Sequence, residues 1–340
     1  MKTRHDSSLS VPQLPVNRNF RTIAVLTSGG DAPGMNAAIR AVTRYAIAHG
    51  LEVLGVMKGY SGLLEGQMER LSASSVANII QRGGTILKTD RCLPFHKKSV
   101  RREAANRLRS HGVDALVVIG GDGSFTGAHL LEKETGIPTI GVPGTIDNDI
   151  TGSEDTIGFD TAVNTAIDAI DRIRDTASSH DRIFIVEVMG RSSGFIASEV
   201  GLGGGAETIL VPEKKTTVAE VVRAIERGIR RGKTSSIIVM AEGEKPGLCT
   251  KLAQAIEKRG YPTKVCILGH TQRGGSPTAH DRVLASVLGA SAVAYLLSGR
   301  SNGMVGVQGG RIRLVPFEDA VRGSRSLSLD HLDLSQTLAT

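Results

Sequence analysis

The chain has 340 residues, room for one large or two ordinary domains, and its 40% apolar and 22% charged residues suit a globular protein. No apolar run is long enough for a transmembrane helix, no signal-peptide core opens the chain, and three scattered cysteines (Cys92, Cys249, Cys266) form no CxxC pair, so a reducing cytoplasm is expected and a membrane is not. A net charge of +7 invites a nucleic-acid reading, but with 3% aromatics, no Trp and widely spread basic residues, stacking platforms are scarce; anionic small molecules fit better.

Residues 1–20 mix Ser, Pro, Asn and charge without periodicity and read as a flexible arm. Arg21–Thr27 reads as a strand, Ser28–Gly34 as a sharp turn, Met35–Ala48 as a helix stopped by Gly50, and Leu51–Val56 as the next strand. This βαβ opening implies a right-handed crossover and a parallel sheet. Gly29 to Gly34 fits GxxxxG, but Met35-Asn36 follows where a Walker motif needs Lys and Ser or Thr, and the dinucleotide fingerprint GxGxxG is absent. A plain structural turn and an oxyanion cradle both remain open for this segment alone. Val76–Gly84 reads as the end of a helix. Ser99–Arg109 reads as a helix whose Arg101, Arg102, Arg107 and Arg109 form a solvated face.

Asp114–Ile119 is a buried strand that breaks into Gly120-Gly-Asp-Gly-Ser124, and Pro138–Val142 a second that breaks into Pro143-Gly-Thr-Ile-Asp-Asn-Asp149. If both lie in one parallel sheet, Asp122, Asp147 and Asp149 converge at carboxyl ends of strands, where open α/β sheets bind ligands. The repeat of Gly-Gly-Asp at 29–31 and 120–122 suggests two walls of one phosphate site.

Beyond it, an amphipathic helix is expected over Thr161–Asp175 and a strand over Arg182–Val188, opening into Met189-Gly-Arg-Ser-Ser-Gly194. A further helix, the strand Thr208–Val211 and a basic-faced helix over Thr217–Arg231 follow. Ser236–Met240 is a strand ending at Glu242, Lys264–Leu268 a strand ending in Gly269–Pro277, and His280–Leu297 a long apolar helix. The last twenty residues are ambiguous. The alternation predicts an α/β protein of two doubly wound, Rossmann-like lobes with a cleft between them. The expected division is an arm at 1–20, a first lobe at 21–157 plus about 270–305, a second lobe at 158–269 plus about 306–320, and a tail at 321–340.

Thr27–Arg40, Gly120–Ser124, Pro143–Asp149, Met189–Arg191 and Leu268–Pro277 together resemble the short bacterial 6-phosphofructokinase family, over roughly residues 21 to 318. The resemblance implies phosphoryl transfer from Mg-ATP to the 1-hydroxyl of fructose 6-phosphate. Gly30 and Gly121, Asp122, Gly123 and Ser124 would cradle ATP phosphates, with Arg91 and Cys92 lining the nucleotide. Asp122 would hold Mg²⁺, with Asp149 acting through water. Asp147 would be the general base, Thr145 would position the transferred group, and Arg191 would steady developing charge. Ile146, Met189, Gly190, Glu242, Thr271 and Gln272 would contact the sugar. Arg182, Lys264, His270 and Arg273 would grip its 6-phosphate.

In the family the residues at 182 and 264 reach in from a neighbouring subunit, which implies a homotetramer with shared active sites. Lys264 stands where Arg is usual and loses a planar fork. Gly123 and Gly144 stand where pyrophosphate-using relatives carry Asp and Lys, which favours ATP as donor. An effector site for ADP or phosphoenolpyruvate matches at Arg40, Arg44, Arg174, Glu207, Arg231 and Lys233, but departs at Ala73, Thr234 and Ser235. The competing readings are a pyrophosphate-dependent enzyme, a catalytically silent nucleotide-sensing subunit, an NAD-dependent oxidoreductase, and an NAD or lipid kinase. The glycine pair, the retained Asp122 and Asp147, the missing GxGxxG and the Thr-Ile-Asp-Asn-Asp run weigh against them in turn.

Overall fold

A computed structural model describes residues 9–179, 182–243 and 245–339. In chain order the elements are β1 (Thr22–Ser28), α1 (Met35–Ala48), β2 (Glu52–Val56), α2 (Gly59–Glu65), β3 (Met68–Leu71), α3 (Lys98–Ser110), β4 (Ala115–Gly120), α4 (Asp122–Thr135), β5 (Thr139–Pro143), α5 (Phe159–Ser178), β6 (Ile183–Val188), α6 (Phe195–Gly203), β7 (Thr208–Leu210), α7 (Val218–Arg230), β8 (Ser236–Ala241), α8 (Leu248–Glu257), β9 (Thr263–Ile267), α9 (Ala279–Leu297), β10 (Gly303–Gln308), β11 (Arg311–Pro316), α10 (Phe317–Ala320) and α11 (Asp330–Leu338). Single 3₁₀ turns lie at Leu93–His96 and Gly269–Arg273. The chain divides into two compact units. One comprises residues up to Thr145 with Ile150–Phe159 and Arg273–Arg325; the other comprises Ile146–Asp149, Asp160–Gln272 and residues from Ser326.

The first unit is built on a sheet of order β11-β10-β5-β4-β1-β2-β3, parallel throughout except for the two edge strands. Every residue of β1 and β4 is buried, as strands covered on both faces must be. From β1 the chain winds first to β2, then returns to the other side of β1 as β4 and β5. Winding therefore reverses between β1 and β4, whose ends Ser28 and Gly120 are in register. Such a reversal leaves a crevice at the carboxyl ends, because the connecting helices depart to opposite faces. Helix α9 lies so close to α1 that a Cβ on Gly289 would stand 2.8 Å from the Ala38 carbonyl.

The second unit has an all-parallel sheet of order β7-β8-β6-β9. Helix α7 starts where a capping box satisfies its first turn: Thr217 Oγ1 accepts from Glu220 N–H, and the Glu220 carboxylate accepts from Thr217 N–H. Val221, Val222 and Ile225 are buried with Ile185 and Ile238 of the sheet, while Arg223, Arg227 and Arg230 face water.

Several expectations are corrected. Residues 76–84 form turns rather than a helix end, because the buried side chain of Asn36 takes up their polar groups. Its Nδ2 donates to the Arg82 and Gly83 carbonyls and its Oδ1 accepts from Ile86 N–H. Residues 306–320 belong with the first unit, since β11 closes a hairpin on β10. The tail folds as α11, which packs on α6 and β7, and Ser335 Oγ donates to the Ala206 carbonyl. Of the N-terminal arm, residues 1–8 lie outside the described residues; 9–20 lack regular structure, but Asn17 and Arg18 N–H both donate to the Leu297 carbonyl.

Arg101 is not on a solvated face. It is 4% exposed, its Nη1 donates to the Phe95 carbonyl at 2.7 Å, and its Nε and Nη2 grip Glu134 at 2.9 and 2.7 Å. Those hydrogen bonds hold the Glu134 carboxyl below the usual carboxylate range. A depressed carboxylate stabilises the fold above its unfolded pKa and loses that contribution as pH falls through the folded one. Arg101→Ala should therefore cost about 3 kcal/mol in urea unfolding at pH 7, because it strands Glu134, and the gap from wild type should narrow toward acid. A loss below about 1 kcal/mol would mean that water replaces the guanidinium.

Candidate active site

In the first unit the two Gly-Gly-Asp turns meet at the reversal point. Gly120 must be glycine: a Cβ there would lie 2.5 Å from the Ser28 carbonyl and 2.7 Å from Ser124 Oγ. That approach lets Ser124 Oγ donate to the Ser28 carbonyl at 3.1 Å, tying one turn to the other. Tyr60 braces the tie from below, its hydroxyl donating to the Ser124 carbonyl at 2.7 Å while its ring stacks on Phe95. Burial drives the phenol pKa far upward, so Tyr60 remains a donor.

Gly29 holds φ at +91°, and its carbonyl accepts from Thr89 Oγ1. Helix α4 begins after Gly121 without a side-chain cap, so its first turn offers N–H groups and the positive end of its dipole. Asp122 and Gly123 are exposed there, Arg91 is exposed, and Cys92 is half-buried. Arg273, expected on a sugar phosphate, has its guanidinium over Gly30, and Nη1 donates to the Asp31 carbonyl at 3.0 Å.

The acid-rich segment follows β5. Gly144 N–H donates to the Gly120 carbonyl, and the Thr145 carbonyl accepts from Thr156 Oγ1 at 2.7 Å. Asp147 is 8% exposed, its backbone carbonyl accepting from Ser193 Oγ at 3.3 Å. Asn148 adopts φ of +50°, a left-handed geometry that Asn tolerates better than most residues. Ile146 is buried, and Thr145 and Asp149 are partly exposed.

In the second unit the expected residues again follow strands: Met189, Gly190 and Arg191 after β6, Glu242 after β8, and His270, Thr271 and Gln272 after β9. Gly190 is at φ +136°, and a Cβ would strike the Ser193 carbonyl at 2.5 Å. Arg191, not a glycine, is at φ +50°, and its N–H donates to Glu242 Oε1 at 3.1 Å. Glu242 thus holds the strained turn that presents the arginine, a role the sequence did not suggest. Gln272 was expected to touch a ligand. It is fully buried instead, its Oε1 accepting from Met189 N–H at 2.8 Å and its Nε2 donating to the Ala162 carbonyl. With its amide engaged on both sides, it positions Met189. His270 and Thr271 are exposed, and Thr271 Oγ1 donates to the Leu268 carbonyl. Lys264 is exposed on the edge strand β9, and Arg182 is partly exposed.

The six expected effector residues divide. Arg40 and Arg44 lie on α1, where Arg44 donates to the Ala73 carbonyl. The other four are in the second unit. Arg174 donates to the carbonyls of Gly204 and Gly205, Glu207 Oε2 accepts from Ile237 N–H at 2.6 Å, and Lys233 donates to Glu207 Oε1. Glu207 and Arg231 line a cavity of about 400 Å³, together with Arg227 and residues of α11. Arg231 and Lys233 both also donate to the Ala339 carbonyl, so the tail contributes to this pocket, which the polar C-terminal sequence did not reveal.

Among the described residues no cluster of three or more His, Cys, Asp or Glu side chains could hold a metal alone. An exposed Asp122 at a helix start suits Mg²⁺, which keeps waters and takes one or two carboxylates plus substrate phosphates. No helix among these residues is long and apolar enough to cross a membrane.

A family model described as Phosphofructokinase matches residues 22–296. The ATP-dependent 6-phosphofructokinase 1 of Thermus thermophilus is 55% identical over 321 residues, covering 94% of this chain and 100% of that one. The ATP-dependent 6-phosphofructokinase 1 of Clostridium perfringens is 55% identical over 308 residues, covering 90% and 96%. Among solved structures, phosphofructokinase from Saccharomyces cerevisiae is similar with a TM-score of 0.84 at 37% identity; the match covers 89% of this chain and 45% of the yeast chain.

The two glycines expected to govern donor choice differ in surroundings. A Cβ on Gly123 meets nothing within 4 Å, whereas one on Gly144 would stand 3.0 Å from Ile119 Cγ2 and 3.2 Å from Met35 Cε. Gly123→Asp should leave thermal stability within about 0.5 kcal/mol of wild type. Gly144→Lys should destabilise by about 1–3 kcal/mol through overpacking. Equal stability of the two variants would show that Ile119 and Met35 yield.

Proposed function

The chain belongs to the phosphofructokinase family, and we propose from that premise how its residues share the reaction. The enzyme transfers a phosphoryl group from ATP to the 1-hydroxyl of fructose 6-phosphate, giving fructose 1,6-bisphosphate and ADP. The observation that carries the assignment of roles is the segment after β5, which sets Thr145, Asp147 and Asp149 within five residues at the carboxyl end of a parallel strand.

Asp147 removes the proton from the 1-hydroxyl as its oxygen attacks the γ-phosphorus. Thr145 orients the transferred group, and Arg191, held in its left-handed turn by Glu242, meets charge developing on the equatorial oxygens. Backbone N–H groups around Gly30 and from Gly121 to Ser124 receive the donor phosphates, because glycine turns and an uncapped helix start present donors without bulk. Asp122 would hold Mg²⁺, with Asp149 supporting it through water, and the ion would supply charge neutralisation on the donor phosphates. His270, Arg182 and Lys264 serve the 6-phosphate, the last two from a neighbouring subunit of a tetramer. Support for the tetramer is the exposure of Lys264 and Ile267 on the unpaired edge of β9. We assign Glu207, Arg231 and Lys233 to an anionic effector such as ADP or phosphoenolpyruvate, on the strength of the cavity that Glu207, Arg227 and Arg231 line and of the Lys233 ammonium bonded to Glu207, and the cytoplasm as the compartment.

Initial rates with fructose 6-phosphate and Mg²⁺, comparing ATP with pyrophosphate, test the reading. Turnover with ATP alone is expected; turnover with pyrophosphate alone, or silence with both from folded protein, would sink it. Asp147→Ser should lower kcat by about 10²–10⁴-fold with ATP binding retained, and near-normal turnover would remove Asp147 from the role. Lys264→Arg should keep kcat and lower the half-saturation for fructose 6-phosphate by restoring the fork; a raised value would mean that the pocket is fitted to lysine.

A further inference from the structure

We propose that Thr156 is a positioning residue for phosphoryl transfer, holding the peptide that carries Thr145; this rests on the role given to Thr145 above. Thr145 stands just past the end of β5, where the sheet ladder runs out. Gly144 N–H still reaches the Gly120 carbonyl, but the next support comes from a segment further along the chain. Ile157 N–H donates to the Pro143 carbonyl at 3.0 Å, Ile157 bridges Gly144 in parallel register, and Thr156 Oγ1 donates to the Thr145 carbonyl at 2.7 Å. Thr156 is fully buried, so its hydroxyl has been taken out of water for this bond. The carbonyl it holds belongs to the peptide plane joining Thr145 to Ile146. Fixing that plane limits the torsions on either side of it, and so the aim of the Thr145 side chain.

The supporting segment is itself held at both ends within the first unit. On its incoming side, Glu154 N–H donates to the Val307 carbonyl at 2.9 Å and Val307 N–H donates to Ser153 Oγ at 3.0 Å, which fastens it to β10. On its outgoing side, Gly158 N–H donates to Asp281 Oδ1 at 2.7 Å. Asp281 is fully buried in the first turn of α9, and Gly158 takes φ of +103° where the chain turns into α5. Between these anchors Ile157 presses on the first Gly-Gly-Asp turn: a Cβ on Gly34 would stand 2.6 Å from Ile157 Cγ2. Two adjacent residues thus rest on the two segments assigned to the transfer, Ile157 on the donor turn and Thr156 on the segment of Thr145. A support anchored in this way can set their spacing, and a displacement of about 1 Å at a reacting group costs about 10²-fold in rate.

The experiment compares wild type with T156S, T156C and T156V by steady-state kinetics and by equilibrium binding of Mg-ATP, with thermal unfolding as the control for folding. Valine keeps the shape and removes the donor, serine keeps the donor, and the thiol of cysteine is a weak one. T156V should lose about ten- to a hundredfold in kcat, with Mg-ATP binding and the half-saturation for fructose 6-phosphate within about twofold of wild type. T156S should keep kcat within about threefold, and T156C should fall between the two. A purely structural role would lower the Tm of T156V and leave the kcat of the folded protein intact, and that result overturns the proposal. So does a loss in T156S as large as in T156V, which would assign the effect to the methyl group, and so does a T156V defect confined to the binding of either substrate. If T156V does not fold, T156C decides: a kcat lowered by about threefold or more with binding retained supports the proposal, and wild-type kcat overturns it. T145A measured alongside separates this inference from its premise. Full activity of T145A defeats the role given to Thr145, whereas an impaired T145A beside an unimpaired T156V defeats this inference alone.

Discussion

Backbone contact between the ends of β1 and β4 is the constraint on which the first unit depends. Two parallel strands at the reversal of winding must end side by side, and here they do so with the Gly120 Cα against the Ser28 carbonyl. Any side chain at 120 would separate the strand ends, and the Ser124 hydroxyl would lose its bond to Ser28. With the contact intact, both Gly-Gly-Asp turns and the start of α4 occupy one place. Tyr60, packed on Phe95, secures the Ser124 backbone from within the core. The hydrophobic packing of α2, α3 and α4 thereby fixes the position of a polar loop.

The second unit reaches the same end by another route. Its strand ends are held by side chains from neighbouring strands, with Gln272 taking the Met189 N–H and Glu242 the Arg191 N–H. These bonds satisfy backbone donors that turn away from the sheet ladder, and they keep a left-handed arginine in place. The contrast suits the proposed division of work. A polyphosphate is met by backbone N–H groups and needs bare turns, whereas a sugar phosphate is met by side chains that must be aimed.

Charge follows the same logic of local anchoring. Arg223, Arg227 and Arg230 on α7 are solvated, but Arg101, in the more basic helix α3, is drawn inward because Glu134 and the Phe95 carbonyl can saturate its fork. At the far end of the chain, Arg231 and Lys233 meet the Ala339 carbonyl, and α11 helps line the cavity in the second unit.

Most strands and the longer helices were legible in the sequence, because buried parallel strands read as short apolar runs and α1, α5 and α9 carry long apolar patterns. The glycine turns and the acid run after β5 were legible too, since chemistry placed just after strands leaves a local mark. What the sequence by itself determined is this alternation and the inventory of acids, glycines and arginines at strand ends. Tertiary structure alone decided which of those residues also carry a contact within the protein. Gln272 and Glu242 brace peptides, Arg101 is buried, Arg273 lies on Gly30, and β11 joins the first sheet. The physical reason is that a polar side chain has the same donors and acceptors wherever it stands. Whether they are spent on a neighbouring backbone depends on contacts far away in sequence, and those exist only once the sheets have formed.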